Sequence, residues 1–272
     1  MIICGGVTIL TSNNYFEDDY SQENVVLNHL GKKGSNAVRF INAYNMIDQS
    51  LRGIYNYKRN ISFADIIRRT VPLNSVVRRY EDRLIDYGRL RNSIVHNSTE
   101  ERVIAEPHIE VVKEMEFIAS LLSSPPKVAE VIKKKEVKIL SAETSIKDVI
   151  VALSSTGFKR IPIYENNALV GVIDSPQIVN VLGDVLREKE NVLDFISHTP
   201  IVNILEVKEN EKMYVVRDEN LTVQEALDIF FGNRKIQVII ITKKGTFAER
   251  PINILTNADF IDLNKVIDDY NI

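Results

Sequence analysis

At 272 residues, 44% of them hydrophobic and 26% charged, the chain is long enough for about two domains with separate cores, and its composition argues against wholesale disorder. Its single cysteine, Cys4, excludes a disulfide framework within the chain and argues against a cysteine-based metal site. The net charge of −3 conceals an asymmetry: residues 31–102 carry 14 Lys and Arg against 7 Asp and Glu, a balance of +7 that leaves −10 for the remainder.

Eleven of those 14 cations are arginines. An Arg-biased stretch points to a polyanion such as RNA, although arginines on helices also serve as a plain solvated face. No apolar run approaches the roughly 20 residues that span a bilayer, so no membrane helix is expected. Met1 to Leu10 lacks a basic start and is followed by Glu17, Asp18 and Asp19, so no signal peptide is expected and the chain reads as cytoplasmic. His29, His96, His108 and His198 are scattered without metal-ligand spacing, and no glycine-rich phosphate loop is present.

In chain order, residues 1–34 read as a strand from Ile2 to Leu10 interrupted by Gly5-Gly6, then a short helix from Glu23 to Leu30 ended by Gly31. From Ser35, a good N-cap, Ala37, Phe40, Ile41, Tyr44, Ile47, Leu51 and Ile54 recur at three and four residues and predict a helix. A shorter helix follows Ser62, and Pro72 interrupts the run. The spacing then predicts one helix from about Asn74 to Asn97, and a further one opening at Pro107 with Ile109, Val112, Met115, Ala119 and Leu122 inward. Residues 35–124 are thus expected to form a helical bundle.

Within the Asn74–Asn97 helix, Val77, Tyr80, Leu84, Tyr87, Ile94 and Val95 make one apolar stripe, and Arg91 falls in the middle of it. A guanidinium cannot shed its charge, so this position requires an anion or a carboxylate to meet it. Asn92 and His96 lie together on the flank, one turn apart. A fixed cation, an amide and a titratable imidazole within side-chain reach suit a phosphodiester. The structural alternative is that Arg91 pairs with a neighbouring helix and His96 complements the helix C-terminus.

Ser123-Ser124-Pro125-Pro126 marks a boundary, after which the pattern changes to short β-branched runs alternating with helices. Thr144–Ile150, Ile161–Tyr164 and Leu169–Ile173 recur as Leu221–Leu227, Val238–Ile241 and Ile252–Leu255, with an offset of 77 residues that pairs Ile146 with Val223, Asp148 with Glu225 and Ile163 with Ile240. The offset then grows to 82, which places five extra residues in the second hairpin, around Lys243 to Pro251. Each copy reads strand, helix, strand, strand, helix. One copy cannot bury its own sheet, so two are expected to pack together.

This repeat resembles a pair of CBS domains, the module that usually binds adenine nucleotides or related ligands in the cleft between two copies. The expected fold is therefore α+β, a helical bundle followed by a tandem CBS pair in residues 127–272, with repeats at about 128–182 and 191–268. In that family each repeat closes with Gly, two apolar residues, Thr or Ser, two variable residues and Asp, the hydroxyl meeting phosphate and the carboxylate meeting the ribose. Thr256 and Asp259 match the pattern and Asn253 replaces the glycine. In the first copy Gly171 fits, but Asp174 stands at the hydroxyl position and Gln177 at the carboxylate position. A carboxylate there repels phosphate, so the resemblance implies one adenine-nucleotide site, in the second repeat at Asn253, Thr256 and Asp259. The alternative is that Thr256 only caps a helix and Asp259 only solvates its first turn.

The helical half resembles a HEPN domain, a compact bundle in which many members are RNases and whose motif runs Arg, a polar residue, a few variable residues and His. Arg91-Asn92-Ser93-Ile94-Val95-His96 matches it; where some members carry a tyrosine after the histidine, this chain has Ser98. The resemblance implies a homodimer that cleaves single-stranded RNA without a metal, Arg91 holding the phosphate, Asn92 beside it, and His96, ordinarily titrating near pH 6.5, exchanging protons. DNA, lacking the 2′-hydroxyl, is expected to resist. Together the resemblances describe a nucleotide-sensing pair that regulates an RNA-cleaving or RNA-binding dimer; the competing description is a regulatory module whose helical part only dimerises or docks a partner.

Overall fold

The computed structural model describes residues 35–96, 105–188, 191–205 and 213–268; the strand and helix expected within residues 1–34 lie outside them. The chain divides into two compact units that meet in sequence at Pro125 and Pro126.

The first unit is helical. Ser35 accepts a hydrogen bond from Val38 N at 3.3 Å and opens α1 (Asn36–Tyr55), and Ser62 opens α2 (Phe63–Thr70) in the same way. An N-cap oxygen satisfies one of the amides that the first turn leaves without a partner. Ala37, Phe40, Ile41, Tyr44, Ile47 and Leu51 are buried as their spacing predicts, but Ile54 is exposed, in the last turn before α1 gives way two residues later to a left-handed Asn56. The helix expected from Asn74 to Asn97 is broken. Asn74 caps α3 (Ser75–Arg79), the chain turns at Tyr80 (φ −111°, ψ 17°), and α4 runs from Glu81 to His96. Backbone bonds from Tyr80 N to Val76 O and from Leu84 N to Tyr80 O carry the ladder across the turn, so the result is a kink that keeps Val77, Tyr80 and Leu84 on one buried seam. Glu81 and Asp82 fall in the first turn of α4, where negative charge suits the helix dipole. The last helix of the unit, α5 (Ile109–Ser123), is capped at His108, so Pro107 precedes it instead of opening it.

α1 packs on α5, α4 and α2. Phe40 meets Tyr87 edge-on at 5.9 Å, and Tyr44 lies 4.4 Å from Phe63. Gly88 makes the α2–α4 approach possible: a Cβ there would sit 3.2 Å from the Phe63 ring. Several of the arginines counted as basic surface are spent internally. Arg39 grips Glu116 through two bonds of 2.8 and 2.6 Å, and Arg52 bonds Asp48 and the carbonyls of Lys58 and Ile61, closing the loop before α2.

The second unit holds two three-stranded sheets, ordered β1-β2-β3 and β4-β5-β6. After a one-turn helix, α6 (Val128–Val131), the first copy runs β1 (Leu140–Ser141), α7 (Ile146–Thr156), β2 (Arg160–Glu165), β3 (Ala168–Asp174) and α8 (Ser175–Arg187). A short α9 (Val192–His198) leads to the second copy, β4 (Tyr214–Arg217), α10 (Val223–Gly232), β5 (Val238–Ile241), β6 (Asn253–Thr256) and α11 (Phe260–Asp268). In each sheet the first two strands are parallel and the last two antiparallel. This is the strand–helix–strand–strand–helix order the repeat predicts.

The register of the repeat needs one correction. Leu140 pairs with Ile163 and Arg160 with Asp174, while Arg217 pairs with Ile241 and Val238 with Thr256. Both ladders therefore place Ile163 opposite Ile241 in the alignment of copies, not Ile240. One added residue precedes β5 and four lengthen the hairpin. The slip is invisible in the sequence because all of Val238 to Ile241 is buried: a strand covered on both faces has no polar alternation to fix its phase.

One face of the first sheet joins Ile161, Ile163 and Ile173 to Ile146, Val149, Leu153 and Ile178. Its other face brings Tyr164, Leu169 and Val172 onto Tyr214, Val216, Val238 and Ile240 of the second sheet. The long second hairpin strengthens this junction. Leu169 N donates to Phe247 O at 2.8 Å, Tyr164 Oη to Glu249 O at 3.0 Å, and Phe247 meets Tyr214 edge-on.

Candidate functional site

The two corners where a third strand passes into a helix are built alike. At β3–α8 the Asp174 carboxylate accepts from Gln177 N at 2.9 Å, and the Gln177 side chain accepts from Asp174 N at 3.1 Å. At β6 a short 3-10 turn, Asn257–Asp259, precedes α11. There the Asp259 carboxylate accepts from Thr256 N at 2.8 Å and from the Thr256 hydroxyl at 3.2 Å, and Thr256 Oγ1 accepts from Ala258 N at 3.4 Å. Both are reciprocal caps, in which a strand's last residue and one three positions on satisfy each other's backbone. Asp174 and Thr256 thus hold equivalent places.

Each corner buries one carboxylate, Asp174 or Asp259, and they differ in what meets it. Asp259 does not solvate a first turn; its side chain is 7% exposed and its carboxylate is ion-paired with the Lys135 ammonium. Lys135 belongs to the segment between α6 and β1, and it reaches the corner because that segment is tied to the second copy. Pro126 O accepts from Val223 N, Val128 N donates to Leu221 O, and Lys135 N donates to Asn253 Oδ1 at 3.3 Å. Asn253, at the position the sequence pattern gives to glycine, is buried and also accepts from Ile254 N at 2.9 Å through the same oxygen. The structure therefore brings Asn253, Thr256 and Asp259 together and adds Lys135. Nothing local in the sequence marks this lysine: it lies 118 and 124 positions from its two partners. The available hint was the cationic run Lys133-Lys134-Lys135 just ahead of the first copy.

In the helical unit the Arg91 side chain lies inside the bundle, the residue 4% exposed, its guanidinium 5.5 Å from the centroid of Tyr44 and its Nη1 3.3 Å from Asn92 Oδ1. Asn92 is exposed. The backbone of His96 ends α4, while its side chain and residues 97 and 98 lie outside the described part. A second buried charge lies in the same unit, on α5: the Glu114 carboxylate accepts from Arg83 and from the Tyr87 hydroxyl of α4. A buried carboxylate with two donors is satisfied, and here it ties α4 to α5. Among the described residues there is no group of three or more His, Cys, Asp or Glu able to hold a metal ion, and no helix is long and apolar enough to cross a membrane.

Comparison with known proteins bears on the second unit. Residues 128–184 match the CBS domain family, and the chain carries a CBS domain there. It is 28% identical over 157 residues to the uncharacterized protein MJ1225 of Methanocaldococcus jannaschii, an alignment covering 53% of this chain and 54% of that protein. To MJ0188 of the same organism it is 29% identical over 158 residues, covering 52% and 57%. The chain thus spans about half the length of the curated relatives it matches. Among solved structures it is similar to CBSX2 in complex with AMP, with a TM-score of 0.39 and 14% identity over 53% of this chain and 98% of that one. It is also similar to the CBS domain of the bacterial CNNM/CorC family Mg2+ transporter in complex with ATP, with a TM-score of 0.38 and 18% identity over 57% and 95%.

Proposed function

We propose that residues 126–268 form a nucleotide-responsive regulatory module, in which an adenine nucleotide binds the corner at Asn253, Thr256 and Asp259 and governs the helical unit that precedes it. The observation that carries this reading is the Asp259 carboxylate, kept buried beside the Thr256 hydroxyl at the mouth of a helix, in a repeat whose first copy is a CBS domain. Carboxylate oxygens accept from the vicinal hydroxyls of a ribose, and a hydroxyl donates to a phosphate oxygen. The equivalent corner of the first copy presents Asp174 in place of the threonine, and an anion there disfavours a phosphate. One nucleotide per chain is the expected stoichiometry. Calorimetric titration with AMP, ADP and ATP tests this: binding of one equivalent that is lost in Asp259→Asn and kept in Gln177→Ala supports the reading, and undiminished binding to Asp259→Asn overturns it.

For the helical unit we infer action on RNA by a homodimer without a metal, carried by Arg91, Asn92 and His96. The exposed Asn92 amide beside the Arg91 guanidinium supports this reading. The burial of Arg91 against Tyr44 favours a second one, in which the arginine is part of the bundle and the unit only dimerises or docks a partner. RNA cleavage in EDTA separates the two. Cleavage lost in folded His96→Ala and Asn92→Ala supports the first; no cleavage, or cleavage indifferent to both substitutions, supports the second.

A further inference from the structure

We propose that Lys135 selects for a phosphate-bearing nucleoside by occupying the carboxylate that such a ligand needs. This rests on the nucleotide reading of the corner at Asp259. The Lys135 side chain is 41% exposed, while that of its partner Asp259 is 7% exposed, so the lysine is the partner open to solvent. A molecule approaching the corner from water therefore meets the lysine before the carboxylate. The two partners also differ in freedom. Asp259 is fixed by two bonds from Thr256, whereas the lysine hangs on a four-carbon stem whose backbone alone is pinned, at Asn253 Oδ1. The ammonium can swing while its anchor stays in place.

The consequence is an exchange of partners. A ribose diol that takes Asp259 must displace the ammonium, and this leaves a cation beside the Thr256 hydroxyl with no counter-ion. A ligand with a phosphate supplies that counter-ion within the same side chain's reach, so the charge-assisted bond broken at Asp259 is replaced by one to phosphate. A bare nucleoside breaks the pair and replaces nothing. The first copy shows the same cap without the device: the neutral Gln177 stands at the matching place, bonded to the Asp174 backbone, and the buried carboxylate of that corner, Asp174, accepts from Gln177 N where Asp259 is held by an ammonium.

The test compares AMP, adenosine and inorganic phosphate, by calorimetry, on the full chain and on Lys135→Met. In the unaltered protein AMP binds at least tenfold more tightly than adenosine. In Lys135→Met two changes of opposite sign are expected: AMP weakens by about tenfold, the size of one charge-assisted bond, and adenosine tightens because Asp259 stands open. Lys135→Arg keeps the charge and retains the preference, and amide exchange at Ile254 and Thr256 shows that the corner is intact in each variant. Equal AMP-to-adenosine ratios in the unaltered and Lys135→Met proteins overturn the role of Lys135 while leaving the nucleotide site standing. Failure of AMP and adenosine alike to bind the unaltered protein overturns both.

Discussion

The two corners of the second unit share a backbone device and differ in what surrounds it. Asp174–Gln177 and Thr256–Asp259 each close a strand onto a helix with a reciprocal cap, so the cap belongs to the fold and says nothing about a ligand. Among the described residues, only the second corner joins a buried carboxylate to a partly exposed cation drawn from elsewhere in the chain. Position within a repeat and chemistry at that position are therefore separable. The hairpins make the same point. The first turns through Asn166 and Asn167, both at positive φ, as a two-residue turn suited to the twist of its strands. The second takes eleven residues between Ile241 and Asn253 and reaches back to brace the first sheet.

The largest effect expected from breaking the comparison is in binding. Asp259→Ala removes the carboxylate proposed to meet the ribose diol, and nucleotide affinity should fall at least about a hundredfold, whereas Gln177→Ala, at the matching place, should leave it within about twofold. Urea denaturation gives the control, since each substitution removes one partner of a helix cap and costs about 1 kcal/mol. Equal losses of binding in the two variants would make the corners functionally alike.

The hairpins come next. Gly245 is held at φ 76°, and a Cβ there would lie 3.0 Å from Asp218 N and 3.4 Å from Arg217 C, backbone that cannot swing aside. Gly245→Ala should destabilise the protein by at least about 1–2 kcal/mol. Asn166→Gly, in the short hairpin, should change stability by a few tenths of a kcal/mol, because Gly accepts the same φ. Urea midpoints of the two variants provide the contrast.

Smaller again is the effect of Tyr164→Phe. Burial, with Tyr214 beside it, pushes the Tyr164 hydroxyl from its ordinary 10.0 up to about 12. The folded state keeps this proton while the unfolded chain gives it up. The contribution is therefore complete below pH 10 and is lost as pH rises from 10 toward 12. Tyr164→Phe should cost about 1 kcal/mol at neutral pH through the missing bond to Glu249 O, and should flatten the alkaline decline.

What the sequence made legible was local or periodic. Ser35 and Ser62 announce their helices through cap chemistry, and the apolar seam of Val77, Tyr80, Leu84, Ile94 and Val95 follows from spacing. The burial of Arg91 was legible for the same reason, since it shares their phase. The repeat was visible because Ile146 and Asp148 recur as Val223 and Glu225 at an offset of 77 residues, in helices that Ser145 and Thr222 cap alike. Hidden features depend on partners distant in the chain or on strands without alternation. The Tyr80 kink replaces one helix by two with no Pro or Gly to mark it, although Glu81 and Asp82 were a second start signal. The β5 register was lost in a fully buried run. Lys135, which gives the second corner its charge exchange, is identified only when the chain folds back on itself.

The smallest effect separates the long hairpin from everything else. Glu249 accepts from Lys244 N at 2.8 Å; that bond first, with further bonds from Thr242 and Thr246, holds its carboxyl below the ordinary 4.5. As pH falls below 4.5 the unfolded or opened hairpin takes up a proton that the closed hairpin refuses. The stabilisation is thus present above pH 4.5 and is lost as pH drops through the lower folded value. Glu116 is lowered in the same direction by Arg39 in the helical unit, so global unfolding mixes the two sources. A local readout avoids this: Leu169 N–H donates to Phe247 O, and its exchange protection reports hairpin closure. Protection of Leu169 should weaken between pH 5 and 3 beyond the normal pH dependence of exchange, and in Glu249→Gln this extra loss should disappear. If the extra loss survives the substitution, the acid response of the long hairpin comes from another carboxylate and Glu249 does not clamp it shut.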